Sequence, residues 1–202
     1  MESYNPDAAA ADFQRSLSLT PANIQTETNL GFAYYQQKRF EKAEEQFLNV
    51  LSRKPSFPFA LNNLSATYAQ LGEWQRALEY SEKAIEQNPR EVLFINTHTL
   101  NLIENDEILE ATGFSNRSLK LDPFNPYSLR NSGILEVKSE RGSTGVNILD
   151  KIETEHPDVE FIYYYLGKAY QSQGQIIKAC KAFKRGELLG DSRSEKMALS
   201  CL

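Results

Sequence analysis

The sequence predicts an all-α fold, a solenoid of antiparallel helix pairs, and three observations carry that prediction. Pro21, Pro55, Pro89, Pro123 and Pro157 stand 34 residues apart, with Asp191 where the next would fall. That spacing is the period of a two-helix solenoid repeat. Each period holds two amphipathic stripes at helical spacing, and no insertion separates one copy from the next. Repeats of this kind pack only on their neighbours and present an extended surface to other molecules. One elongated domain over residues 1–202 is therefore expected.

Residues 3–22 read as the second half of a repeat. Ala9 and Phe13 occupy the places that Ala43 and Phe47 hold before Pro55, yet no preceding helix is present. This segment is either a cap or the remainder of a longer array. Its alanine run favours helix, and either Asn5 or Asp7 caps its start around Pro6.

The first full repeat, 24–57, sets the pattern. Its helix A carries Glu27, Leu30, Gly31 and Tyr34 on one stripe, and its helix B carries Ala43, Phe47 and Val50. The small residues Gly31 and Ala43 let the two backbones approach closely. Pro55 ends helix B, because the residue before a proline is pushed out of the α region.

The second repeat, 58–91, matches with Leu64, Ser65, Tyr68, Ala77, Ser81, Ala84 and Pro89, and Trp74 stands where Phe40 does in the first. The third, 92–125, has His98, Thr99, Leu102, Ala111, Ser115, Ser118 and Pro123 in the same places. The fourth, 126–159, departs most: Ser132, Glu136 and Gly145 replace the expected Leu, Tyr and Ala. With Gly142 and Gly145 at its inter-helix turn it is expected to be the loosest, either through drift or as a hinge. The fifth, 160–193, returns to type with Leu166, Gly167, Tyr170, Ala179, Phe183 and Gly186. Residues 194–202 are expected to pack through Met197, Leu199 and Leu202 as a C-terminal cap, or to be a cut helix.

These residues resemble the tetratricopeptide repeat, with its Leu, Gly, Tyr, Ala, Phe, Ala and Pro signature. The resemblance covers five full copies and the N-terminal half repeat. It implies a right-handed superhelix whose A helices line a concave, peptide-holding groove.

The residues of the A helices that point away from helix B then become the candidate site. Position 6 of the repeats reads Asn29, Asn63, Thr97, Asn131 and Tyr165; position 5 reads Thr28, Asn62, Asn96, Arg130 and Tyr164. An amide both donates and accepts, so it can pair with either half of a peptide unit whatever the bound side chains are. Position 2 adds Gln25, Phe59, Leu93, Tyr127 and Phe161, and position 9 adds Phe32, Ala66, Leu100, Ile134 and Lys168. These apolar residues serve either as the seam between A helices or as the floor of a groove, with Phe59, Tyr127, Phe161, Tyr164 and Tyr165 as anchors. The cations with which chaperone-adaptor members of the family grip a terminal carboxylate are missing from every register.

Composition narrows the function. The net charge is -5 without a basic run, which argues against nucleic acid. Cys180 and Cys201 lack metal-ligand or redox spacing and are expected as free thiols. His98 takes a core position and His156 an inter-repeat turn, neither with a partner at triad spacing, and no phosphate loop follows a strand. The acidic runs at 41–45 and 104–110 read as solvated helix faces. No enzyme activity, metal or cofactor is expected.

The start lacks a signal segment, and no stretch reaches the length of a membrane span, so a soluble cytoplasmic protein without membrane insertion is expected if Met1 is the natural start. The reading is a non-catalytic scaffold that binds an extended or partly helical protein segment. Its alternatives are the substrate-recognition arm of a larger enzyme and a structural solenoid that self-associates through its open ends.

Overall fold

A computed structural model describes residues 5–139 and 141–201. Among them are twelve α-helices, one short 3-10 helix and no strand. The helices are α1 (Pro6–Leu19), α2 (Ile24–Gln36), α3 (Phe40–Arg53), α4 (Pro58–Leu71), α5 (Trp74–Gln87), α6 (Val92–Glu104), α7 (Ile108–Leu121), α8 (Pro126–Lys138), α9 (Gly142–Glu155), α10 (Ile162–Ser172), α11 (Ile176–Leu188) and α12 (Ser192–Ala198), followed by the 3-10 helix Leu199–Cys201. The A helices α2, α4, α6 and α8 begin 34 residues apart, and so do all five B helices. The chain divides into two compact units, Met1–Glu107 and Ile108–Leu202, and the division falls within the repeat 92–125.

In the first unit, α1 starts on Asn5, whose side chain accepts from the amides of Asp7 and Ala8 at 3.0 and 3.3 Å. That settles the choice of cap in favour of Asn5, with the helix starting at Pro6 as expected; residues 3 and 4 of the expected half repeat lie outside the described residues. Ala9, Ala10 and Phe13 pack against Leu30 and Ala33 of α2. The core then runs through Phe47, Val50, Leu61, Leu64, Tyr68, Ala77 and Phe94. A Cβ built on Gly31 would lie 2.7 Å from the Phe47 ring, so only glycine allows α2 and α3 this separation. The turn from helix A to helix B needs a left-handed residue, supplied by Lys38, Gly72 and Asp106 here and by Gly174 in the second unit.

Several polar side chains at packing positions are hydrogen-bonded. Ser65 Oγ donates to Ala77 O at 2.8 Å, and Asn101 Nδ2 reaches both Ser65 Oγ at 2.8 Å and Ala77 O at 3.0 Å. Ser81 Oγ and His98 Nδ1 lie 2.9 Å apart in the core, where burial lowers the histidine pKa to about 4. His98 is thus a core residue, as its repeat position predicted.

In the second unit, α8 and α9 meet at glycines. A Cβ on Gly145 would lie 2.6 Å from Gly133 O and from Val137 N. Gly142 is the first residue of α9 and does not interrupt it. Gly167 repeats the Gly31 arrangement, since a Cβ built there would collide with the Phe183 ring.

Three expectations need correction. Cys180 and Cys201 are joined by a disulfide with Cα atoms 5.5 Å apart. Helix α10 begins at Ile162 because Phe161 is a left-handed N-cap residue with φ 61°, so Phe161 is not on the face of the helix. The C-terminal cap packs through Ser194 and Ala198 with Met197 half-buried, whereas Leu199 is 68% exposed. Leu202 lies outside the described residues.

Candidate functional site

The sequence-predicted site divides by burial. In the first unit, α2, α4 and α6 touch one another in succession, so each A helix has sideways neighbours as well as its own helix B. Asn62 and Asn96 are buried, whereas Asn29 and Asn63 are half-buried. The expectation that both amide rows line an open surface is therefore corrected. Position 5 turns toward the seam between A helices, while position 6 stays at its rim. The Oδ1 atom of Asn62 is buried without a hydrogen-bond partner among the described residues. Thr28, at the same register, is satisfied by donating to Ile24 O at 2.7 Å.

What remains accessible is an uncharged row. Phe32 is 39% exposed on α2, Phe59 42% on α4 and Leu93 47% on α6. Phe59 is both seam and surface: its ring packs edge to face on buried Phe94 at 5.5 Å and tilts against Phe57 at 6.3 Å, leaving one side free. Phe32 stacks on Tyr35 with centroids 6.2 Å apart. Gln25 Nε2 donates to Asn29 Oδ1 at 3.1 Å and orients that amide at the edge of the row. Rings fixed by such packing bind at little entropic cost.

In the second unit the same registers are mostly covered. Tyr127 is 37% exposed and Tyr164 half-buried, but Arg130, Asn131, Phe161 and Tyr165 are buried. Arg130 donates from Nε and Nη2 to Asn131 Oδ1 at 3.2 and 2.9 Å, and from Nη1 to Glu160 O at 2.7 Å. Burial pushes its pKa down, and it raises the neighbouring Tyr127 phenol. These contacts make Arg130 and Asn131 a seam between α8 and the start of α10, in correction of their expected place in an open groove.

Arg193 covers the aromatic residues. Its guanidinium lies 3.8 Å from the Tyr164 ring centroid, 5.0 Å from that of Tyr165 and 5.2 Å from that of Phe161, and it donates to Tyr165 Oη at 2.8 Å. The groove registers could not have flagged Arg193, because it is the last residue of the repeat 160–193 and stands at none of positions 2, 5, 6 or 9.

The described residues contain no group of three or more His, Cys, Asp or Glu side chains placed to hold a metal ion. None of their helices is long and apolar enough to cross a membrane.

Comparison with known proteins agrees with this geometry. Three family models described as tetratricopeptide repeat match residues 28–54, 58–91 and 159–184. The TPR repeat-containing protein YpiA of Bacillus subtilis (strain 168) is 23% identical over 159 residues, which cover 76% of this chain and 36% of that protein. The chain thus spans about a third of the length of this curated relative. Among solved structures, the anaphase-promoting-complex hetero-tetramer Cut9–Hcn1 aligns over 96% of this chain and 39% of its own, with a TM-score of 0.77 at 17% identity. The thermophilic TPR protein TTC0263 of Thermus thermophilus aligns over 88% and 98%, with a TM-score of 0.70 at 19% identity. YrrB, described as having an unusual peptide-binding site, aligns over 95% and 99%, with a TM-score of 0.59 at 14% identity.

Proposed function

We propose that this chain, a tetratricopeptide repeat protein, is a non-catalytic scaffold that holds an extended segment of another protein against its A helices. The observation that carries the reading is the uncharged row of Phe32, Phe59 and Leu93 on three successive A helices, rimmed by Asn29 and Asn63. Rings and leucine supply apolar area, and the rim amides can pair with a bound backbone in either direction. No side chain at positions 2, 6 or 9 of these three repeats is ionisable, which favours a segment read by shape and main chain over one read by charge. The likeness to YrrB, with its peptide-binding site, fits the same reading.

The test uses the exposed members of the row. Phe59→Ala with Leu93→Ala should cut recovery of the partner from the native source by about tenfold or more while helicity is kept, in line with the cost of removing interface anchors. Recovery unchanged in the folded double variant would reject the row as the binding face. Replacing Asn62, Asn96 or Asn131 is a poor probe, because each is buried and its loss perturbs packing.

A further inference from the structure

We propose that residues 192–201 form a disulfide-held latch, so that the state of one bond decides whether the aromatic face of α10 is covered or open. The covering group is Arg193. Its side chain spans Phe161, Tyr164 and Tyr165, three residues whose repeat positions belong to the partner-facing side of an A helix. A left-handed Phe161 carries a backbone penalty, and in this structure its ring is buried beneath that guanidinium. The first turn of α12 thus occupies a surface that the repeat pattern otherwise leaves to a ligand.

Apart from the Arg193 contacts, the noncovalent hold on the segment is slight. Helix α12 has seven residues, of which only Ser194 and Ala198 are buried. Ser194 fits against Gly186, where a Cβ would collide with its hydroxyl, and this seats α12 directly on the backbone of α11. Asp191 caps the helix and accepts from Ser194 Oγ at 2.6 Å. A serine and an alanine bring little apolar area to the contact, and a helix this short does not persist by itself in water. The Cys180–Cys201 bond, which closes a separation of 21 residues, adds a covalent restraint to these contacts.

Both cysteines are half-buried, so a small reductant can reach the bond. A dithiol opens it by thiol–disulfide exchange: two electrons and two protons pass to the sulfurs of Cys180 and Cys201, and the dithiol is oxidised to its own disulfide. A reducing compartment then favours the open latch and an oxidising one the closed latch. That the uncovered face receives a partner rests on the scaffold reading above; the opening itself does not.

The experiment compares the oxidised chain, the chain treated with dithiothreitol, and the variant Cys180→Ser with Cys201→Ser. Hydrogen exchange follows residues 192–201, and hydroxyl-radical labelling follows the rings of Phe161, Tyr164 and Tyr165. Tyr170, held at the α9–α10 contact by Asp150, serves as the internal reference. Closing a loop of about twenty residues restrains a chain by roughly 250-fold in opening equilibrium. Reduction should therefore raise exchange in 192–201 by about that factor and increase labelling of Phe161, Tyr164 and Tyr165, with Tyr170 unchanged. Arg193→Ala in the oxidised chain should raise ring labelling without raising exchange. Unchanged labelling after reduction would overturn the latch. So would an equal rise at Tyr170, which would make the bond a staple for the whole repeat. Neither outcome touches the binding row of the first unit, which the Phe59 and Leu93 variant tests separately.

Discussion

Restoring the repeat signature at Gly145 should weaken this protein. The equivalent residues Ala43, Ala77, Ala111 and Ala179 are buried without difficulty, and alanine is a better helix former than glycine by about 1 kcal/mol. Sequence reasoning alone would thus have Gly145→Ala stabilise α9. The structure reverses the sign. The new Cβ would sit 2.6 Å from Gly133 O, 2.6 Å from Val137 N and 2.5 Å from Val137 Cγ2. Two of those atoms are backbone and cannot rotate away, so α9 must retreat from α8 by most of an ångström.

A gap of that size forfeits a quarter to a half of the contact energy along it, roughly. The side chains at stake are Val146, Leu149 and Ile152, each contributing about 1.5–3 kcal/mol when fully buried. The net effect after the propensity gain is a loss of about 1–3 kcal/mol, typical of overpacking. Urea denaturation followed by circular dichroism measures it, with Gly113→Ala as control. Gly113 lies inside α7 and a Cβ there meets nothing within 4 Å, so that change should gain about 0.5–1 kcal/mol. A Gly145→Ala protein as stable as the parent, or more so, would refute the close-approach account.

Other outcomes follow from the buried polar groups. His98 has its pKa lowered to about 4 by burial against about 6.5 in an unfolded chain. The unfolded state therefore takes up the proton first, and stability falls as the pH drops from about 6.5 toward 4, by up to about 3 kcal/mol. Thermal unfolding across that range should show the slope and His98→Leu should flatten it; a His98 imidazole resonance titrating near 6.5 would contradict the burial. Tyr68 donates to Glu44 Oε1 at 2.8 Å and lies beneath Arg76, whose guanidinium carbon is 3.9 Å from its ring centroid. Tyr68→Phe should cost about 1.5–3 kcal/mol, the usual size of a hydrogen bond to a charged group, as a shift in urea midpoint without a change of slope. Gly167→Ala should lower the melting temperature by several degrees, since about 1–3 kcal/mol of overpacking against Phe183 is expected.

The order of the helices was legible from the prolines because a solenoid repeats its local rules: what ends α3 at Pro55 also ends α5 at Pro89. The close approach of α2 and α3 was likewise legible in Gly31 and Ala43. The site was harder to read, for a geometric reason. Counting 100° per residue treats an A helix as a cylinder with one neighbour, whereas α4 lies between α2 and α6. Asn62 is consequently covered while Asn63, one residue on, stays at the rim. Phe161 escaped because its backbone leaves the helix, and its ring is covered by Arg193 from the far end of the same repeat. The disulfide escaped because Cys201 meets Cys180 only after α12 folds back, a contact that no spacing encodes. The departures of the fourth repeat were legible as residues, but the reason for Gly145 was not, since it answers a backbone approach that the signature does not describe.

The claim that the A-helix row of the first unit holds a protein segment is tested most directly by site-specific photocrosslinking in the native source. A benzophenone side chain replaces Phe59 in one protein and exposed Glu45 of α3 in another. A crosslinked species from position 59, missing from position 45 and lost when Leu93→Ala is added, is the predicted result. The same species from both positions, or none from position 59 in a folded protein, would contradict it.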